Sequence, residues 1–459
     1  MDIKLLIKKV PPIKKLINQR DEYYYKTLKL EKQLEEQCNM SCNLQEAMNS
    51  IGESLKDVRN SITFVNDICQ YDKDVISTNN YNSNSGLLGL HDYSLINFNE
   101  SGIVARIPIE LIFTEKSDDA INKCENITNE WLKQNQYYSD IPLLKLKPHK
   151  NLFEFFTRGV DLPEDYYSWY ANLFYTRNLQ PLLNIESLIS KRYEEFVFMQ
   201  NSLHDTGLNF FENNPAVAVW NEKGYFNLLD GHHRAVFLIE SGFRFVPIRI
   251  SEQDYYKWRN DKIVIEFKSY ILDANRDEYY TPIHNPYFMN ISSHRDNISQ
   301  SRLYHILKYM QDMRINGLNI LDIGSCLSYI SQHFFREGAI ITCIEPNKNH
   351  FDTAEILQRL LYTKCSIHNC TIQEYTTNQT FDICILLTIF YHFYSVPSIR
   401  DKFIDIINNH INSLIIWESG DDFENEKQYL LEHTKFKKFT HLAYTYGTGK
   451  VRELGVFSL

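Results

Sequence analysis

Three clusters in this 459-residue chain carry residue types suited to chemistry. The first is Asp322-Ile323-Gly324-Ser325, followed about twenty residues on by Glu345. A glycine in a turn lets the backbone approach a ligand closely. The free N–H groups of a following helix favour polar or anionic groups. An acid placed after the next strand suits the two hydroxyls of a ribose. The second cluster is Asp230-Gly231-His232-His233-Arg234. Its glycine frees the backbone at a helix start, and His232, His233 and Arg234 add charge-assisted donors, so the chemistry it suits is phosphate binding. Asp230 suits a divalent metal or a hydroxyl proton. The third cluster is Tyr391-His392, with Glu418 further on. His392 is the candidate general base, and Tyr391 and Glu418 are candidates to orient a substrate.

The elements around the first cluster read as an alternating α/β unit. Ile320, Leu321 and Ile323 form a buried strand running into the Gly324 turn, and an amphipathic helix follows through Glu337. Ala339 to Ile344 is the second strand, Ser366 to Asn369 a short third and Phe381 to Leu387 a fourth. Ser413 to Trp417 is a fifth, ending at Glu418. Two further runs flank Gly447-Thr448-Gly449, a hairpin signal. The arrangement resembles the class I S-adenosylmethionine-dependent methyltransferases over residues 298–459. The resemblance implies a Rossmann-like seven-stranded sheet with an antiparallel last pair. It also implies S-adenosyl-L-methionine held by Asp322, Gly324, Ser325, Glu345 and Glu374. The Gly-x-Gly-x-Gly of many members is here Gly324, Cys326 and Ser328. The acid that often follows the third strand is Thr371, with Glu374 three residues on. A dehydrogenase is disfavoured, because the Gly-x-Gly-x-x-Gly that seats a pyrophosphate is missing.

Around the second cluster, Ala216 to Trp220 reads as a strand, Asn221 to Gly224 as a turn, and Phe226 onward as a second strand. A helix stopped by Ser241-Gly242 and a strand over Val246 to Ile250 follow. This order resembles the ParB/sulfiredoxin-like group, which implies an α+β domain over 141–272 and a nucleotide, ATP or CTP with magnesium, at the motif. The helix Asp165 to Tyr175 carries six aromatic residues and reads first as packing, second as a carbohydrate surface. Residues 273–297 are polar and hold Pro282 and Pro286, which marks a linker.

The beginning of the chain is basic and helical in pattern. Residues 1–17 hold five lysines against Asp2, with apolar residues at helical steps broken by Pro11-Pro12. Such a segment lies on an anionic membrane surface, docks on a partner or a second copy, or is a solvated tail. A short coiled-coil pattern runs to residue 37. The front end resembles that of capsule- and O-antigen-associated transferases. Residues 38–140 read as helices and loops, including a helix over 38–62, a loop at 79–89 and a helix over 118–134. Ile103 to Phe113 reads as a strand placed at an edge by Pro108.

A net charge of −10 argues against general polyanion binding, so nucleic acid is not an expected partner. Nine scattered cysteines lack zinc spacing and fit reduced thiols in the cytoplasm, and no metal site is expected. The reading is a cytoplasmic methyltransferase acting on an oxygen of a glycan or glycan-linked phosphate. Two other readings are a bifunctional kinase-methyltransferase, and a nucleotide-sensing or nucleic-acid-binding protein with an inactive methyltransferase fold.

Overall fold

The computed structural model describes residues 92–459, apart from 100–101, 115–139, 160–161, 176–180, 182, 274–277, 290, 297, 299 and 421. The expected basic helix, coiled coil, 38–62 helix, 79–89 loop and 118–134 helix lie outside the described residues. Among those described, no helix is long and apolar enough to cross a membrane.

Two sheets organise the molecule. The second contains β9 (Asn319–Ile323), β10 (Ile340–Ile344), β11 (Ser366–His368), β12 (Phe381–Leu387), β13 (Ile411–Glu418), β14 (Lys438–Gly447) and β15 (Lys450–Ser458). Their order across the sheet is β11-β10-β9-β12-β13-β15-β14, with β15 antiparallel to β13. Apolar runs buried on both faces make the inner strands, as parallel pairing requires. The chain leaves β9 toward one edge, through β10 and β11, then returns to β12 on the other side. That reversal opens a crevice at the carboxyl ends of β9 and β12. The hairpin turn is two residues, Thr448 and Gly449, both with positive φ, which matches the twist of the flanking strands.

The first sheet has the order β1-β2-β6-β4-β5-β3. Its strands are β1 (Leu95–Asn99), β2 (Gly102–Pro108), β3 (Ile112–Phe113), β4 (Ala216–Asn221), β5 (Tyr225–Asp230) and β6 (Phe245–Ile250). The expected boundary at residue 140 is therefore crossed: β2 pairs with β6 over six residues, so the unit around 216–250 takes strands from 95–113. Nor is β2 an edge strand. It lies between β1 and β6, and Pro108 is tolerated because it is the strand's last residue.

Helices from the 147–206 region share the core of this sheet. These are α1 (Lys147–Arg158), α2 (Glu164–Tyr175) and α3 (Ile185–Thr206). After α4 (Asn209–Asn213), α5 (His232–Glu240) follows β5 directly, and α6 (Glu252–Arg259) and α7 (Asp261–Asp273) follow β6. Tyr166 and Tyr170 of α2 are buried, so these two aromatics pack in the core.

The stretch expected as a linker is instead a packed strap with a short parallel pair, β7 (Glu278–Tyr279) and β8 (Ser292–Ser293). Asn285, Tyr287 and Arg295 in it are buried. Its polarity serves buried hydrogen bonds, such as Trp258 Nε1 donating to the His284 carbonyl at 3.0 Å.

The strap leads into α8 (Arg302–Tyr309), and α9 (Tyr329–Arg336) follows β9. One hydrophobic core runs through both sheets, from Phe226 and Leu146 to Ile306, Phe334 and Ile320. Polar contacts cross the same boundary. Arg336 Nε donates to the Gly224 carbonyl at 3.0 Å, and Lys145 Nζ pairs with Glu337 at 2.9 Å.

Candidate active site

The turn after β9 carries the first cluster. Gly324, Cys326 and Ser328 have φ of 71°, 50° and 59°. The chain thus holds a left-handed backbone at all three places where the resemblance implies glycine, although two bear side chains. Each non-glycine residue there costs on the order of 1 kcal/mol. Local bonds hold the strained turn. Ser328 N donates to the Ser325 carbonyl at 2.7 Å, and Cys326 N donates to Glu345 Oε2 at 2.7 Å. A Cβ on Gly324 would come within 2.8 Å of the Ile389 side chain, which leans over the turn from the end of β12.

Asp322 and Glu345 flank this turn. Asp322 is buried and accepts from Ser331 Oγ of α9 at 2.6 Å. Burial pushes its carboxyl up to about 7 against that hydrogen bond, with the Glu345 charge adding to the rise. Glu345, at the end of β10, accepts from the backbone N–H groups of Cys326 and Asn347. His350, in the first turn of α10 (Lys348–Leu360), places Nδ1 3.6 Å from Glu345 Oε1. The Cys326 and Glu345 side chains beside it push its imidazole up to about 10. Asn369 Nδ2 donates to the Glu345 carbonyl at 2.9 Å, tying the loop after β11 to that after β10.

Ser325 is buried in the turn, where its hydroxyl accepts from Ser328 Oγ at 3.3 Å. Glu374 is exposed, and its carboxylate caps the Thr371 N–H at 2.8 Å and the Thr371 hydroxyl at 2.9 Å. His350 and Asn369 had no separate signal in the sequence beyond lying just after the second and third strands.

Tyr391 and His392 lie on α11 (Phe390–Tyr394), directly after β12, with their rings 3.9 Å apart. His392 is exposed. Tyr391 packs on Gly420, where a Cβ would come within 2.4 Å of its ring. Glu418 departs from the sequence expectation. It is fully buried and accepts from Arg295, Arg302, Thr388 and Thr445. Burial alone would raise its carboxyl, but Arg302, Arg295 and the two threonines outweigh it and hold the group down at about 2. A carboxylate so enclosed does not take a substrate proton. It fixes the end of β13 to Thr388, whose φ of 57° marks the sharp exit from β12, and to Arg302 at the start of α8. Arg302 in turn makes a two-pronged pair with Asp296, one contact at 2.6 Å. Arg295, Asp296 and Arg302 escaped sequence reasoning because they fall in or beside the stretch read as a linker.

In the first sheet, strand, turn, strand, motif, helix and strand follow in the expected order. Gly231 precedes α5 with φ 88°, and a Cβ there would come within 2.7 Å of Ala216 Cβ. Asp230 is exposed and pairs with Arg234 at 3.0 Å. His232 and His233 open α5 and meet His149 of α1, at 5.8 Å and 4.6 Å between ring centroids. Burial holds the His232 imidazole down at about 4. Among the described residues, no group of three or more potential ligands could hold a metal ion.

No protein-family model matches the chain, and no curated protein matches it. Solved structures do. The magnesium protoporphyrin IX methyltransferase of Synechocystis PCC 6803, with bound SAH, aligns at 10% identity over 34% of this chain and 81% of its own, with a TM-score of 0.29. The bifunctional kinase-methyltransferase WbdD aligns at 15% identity over 42% of this chain and 45% of its own, with a TM-score of 0.31; the match thus takes in less than half of WbdD. The N-methyltransferase NodS of Bradyrhizobium japonicum WM9 aligns at 14% identity over 34% and 91%, with a TM-score of 0.27. Independently of these likenesses, the strand order and the antiparallel last pair give the C-terminal part the Rossmann-like fold of class I methyltransferases.

Proposed function

We propose that the chain is an S-adenosylmethionine-dependent methyltransferase, with the cofactor on the turn after β9. The observation that carries this is the buried, poorly compensated Asp322 beside that turn. A carboxyl pushed up to about 7 by burial and a neighbouring acid is suited to a cationic ligand, which would restore its ionised form. The cofactor fits, since it carries both an ammonium and a sulfonium. Asp322 and the turn would take the amino-acid end, and Glu345, steadied by His350, the ribose edge. Ser325 and Glu374 complete the proposed contacts, though Glu374 must leave its Thr371 cap to serve. When bound, the cofactor supplies an activated methyl group. His392 is the proposed base for a protonated acceptor oxygen, and Tyr391 orients that acceptor. The acceptor class is an oxygen of a glycan or glycan-linked phosphate. Asp230 to Arg234, in a ParB-like unit ahead of it, bind a nucleotide or phosphate group.

The test is calorimetric titration of S-adenosylhomocysteine into the protein and its Asp322→Ala and Glu345→Ala variants. Micromolar binding, weakened at least tenfold in both variants, is expected. No binding by folded wild-type protein would refute the reading. A second reading, phosphorylation followed by methylation, is favoured by one feature: the Asp230 carboxylate, paired with Arg234 at 3.0 Å, is exposed at the helix start, where a hydroxyl or magnesium can compete for it. Transfer of labelled phosphate from ATP to a glycan acceptor, lost in Asp230→Asn, would establish it.

A further inference from the structure

The helix that follows the turn after β9 lacks an ordinary cap. Ser328 precedes α9 with φ 59°, and its side chain makes no capping hydrogen bond to the helix start. A missing cap and left-handed residues at 326 and 328 both cost stability, so the turn depends on contacts from outside it. Its own unit supplies two. Ser331 Oγ donates to Asp322 at 2.6 Å, and Gln332 Nε2 donates to the Leu327 carbonyl at 3.0 Å.

The rest come from the unit around the first sheet. Tyr329, the first residue of α9, is buried, and its hydroxyl donates to Glu110 Oε1 at 3.3 Å. Glu110 is also buried, in a single 3-10 turn, Ile109–Leu111, between β2 and β3. His284 of the strap completes the cluster. Its ring lies 5.5 Å from that of Tyr329, and its Nε2 lies 3.5 Å from Glu110 Oε2. Further along α9, His333 lies against Phe113 of β3, with ring centroids 5.8 Å apart, and Arg336 bonds to Gly224. One face of α9 thus rests on the first unit from its first residue to its last.

We propose that Glu110, acting through Tyr329, is a positioning residue for the cofactor turn, so that the site on the second sheet is complete only with the first unit docked on α9. This rests on the methyltransferase reading and adds to it a residue from outside 298–459. Tyr329 adjoins Ser328, the last residue of the turn. Fixing its ring fixes the rotation of the first turn of α9, and with it the direction of the N–H groups offered to a ligand. A bond of 3.3 Å is long, but it is shut away from water, where a lost partner is not replaced. The same burial pushes the Glu110 carboxyl up to about 7, against Arg244 and Tyr329. A neutral side chain is therefore tolerated there near pH 7, which makes glutamine the conservative replacement.

The experiment titrates S-adenosylhomocysteine calorimetrically into the full chain and its variants, with circular dichroism and thermal unfolding as fold controls. Tyr329→Phe removes only the donor, and Glu110→Leu removes the acceptor. Glu110→Gln keeps a side-chain oxygen that accepts from Tyr329. Tyr304→Phe is the matched control, because the Tyr304 hydroxyl donates to Glu240 at 3.4 Å across the same boundary, from α8 to α5. Tyr329→Phe and Glu110→Leu are each expected to weaken binding about threefold to tenfold, and the double variant no more than either alone. Glu110→Gln should recover most of the affinity that Glu110→Leu loses, and Tyr304→Phe should bind as wild type does. Tyr329→Phe decides by itself if Glu110→Leu does not fold. Wild-type affinity in Tyr329→Phe, with only its thermal stability lowered, overturns the inference and leaves the cofactor reading standing. An equal loss in Tyr304→Phe also overturns it, since the effect is then a general loosening between the units. No binding by folded wild type refutes the cofactor reading and the inference with it.

Discussion

Replacing Glu418 by glutamine separates a structural from a catalytic role for this residue. The folded carboxyl sits at about 2 against an ordinary 4.5, a difference of 2.5 units. At 1.36 kcal/mol per unit this is about 3 kcal/mol of stability. Removing one partner of a buried ion pair costs a similar amount, about 3–5 kcal/mol. The two agree because Arg295, 1% exposed, has no other carboxylate partner among the described residues and would be left as an uncompensated cation. The sign follows from the depressed value. The contribution is complete above the unfolded value of 4.5 and is lost as pH falls toward 2. Urea unfolding at pH 7 should therefore place Glu418→Gln about 3 kcal/mol below wild type, and the gap should shrink to about 40% of that by pH 3. Equal stability with lost methyl transfer would refute the reasoning and restore Glu418 as a catalytic residue. Equal stability and equal activity would mean the network is idle.

Cofactor affinity should rise between pH 6 and pH 8, because Asp322 ionises near 7 and its anionic form is the one that holds a cation; pH-resolved calorimetry, with Asp322→Asn flattening the profile, checks this. Cys326→Gly should be neutral or stabilising by up to about 1 kcal/mol in urea unfolding, since the residue's φ of 50° suits glycine, and it should keep S-adenosylhomocysteine binding. In the ligand-free protein, His149→Phe should raise stability by about 1–2 kcal/mol, because two unpartnered buried nitrogens are removed while the ring contact with Trp169 is kept; a loss of stability would show that the nitrogens have partners.

The two sheets differ in how far the sequence reveals them. In the second, each strand is a short apolar run bounded by turn residues, and its order in the chain resembles a known pattern, so β9 to β15 could be placed closely. In the first sheet β4 to β6 and a strand over 103–113 were legible, but not that they pair. Its other half comes from 95–113, more than a hundred residues upstream, and no local pattern announces that β2 lies beside β6. The strap at 278–296 was misread for a related reason. Polar and proline-rich composition suits a solvated linker and also a segment that packs inside the protein with many of its polar groups bonded there. Only burial tells the two apart.

The same division holds at the site. Residue types and spacing determined the glycine turn at 324, the acid at 345, the Asp-Gly-His-His-Arg helix start and the Thr448-Gly449 hairpin. Each depends on backbone conformation over a few neighbouring residues, which local sequence controls. Tertiary structure alone decided that Glu418 is locked between Arg295 and Arg302, that Asp322 is buried beside another acid, and that His149 joins His233 from a separate helix. Charge state and hydrogen-bond partnership depend on what the fold brings within a few ångströms and on how far it excludes water. Neither can be read from spacing along the chain.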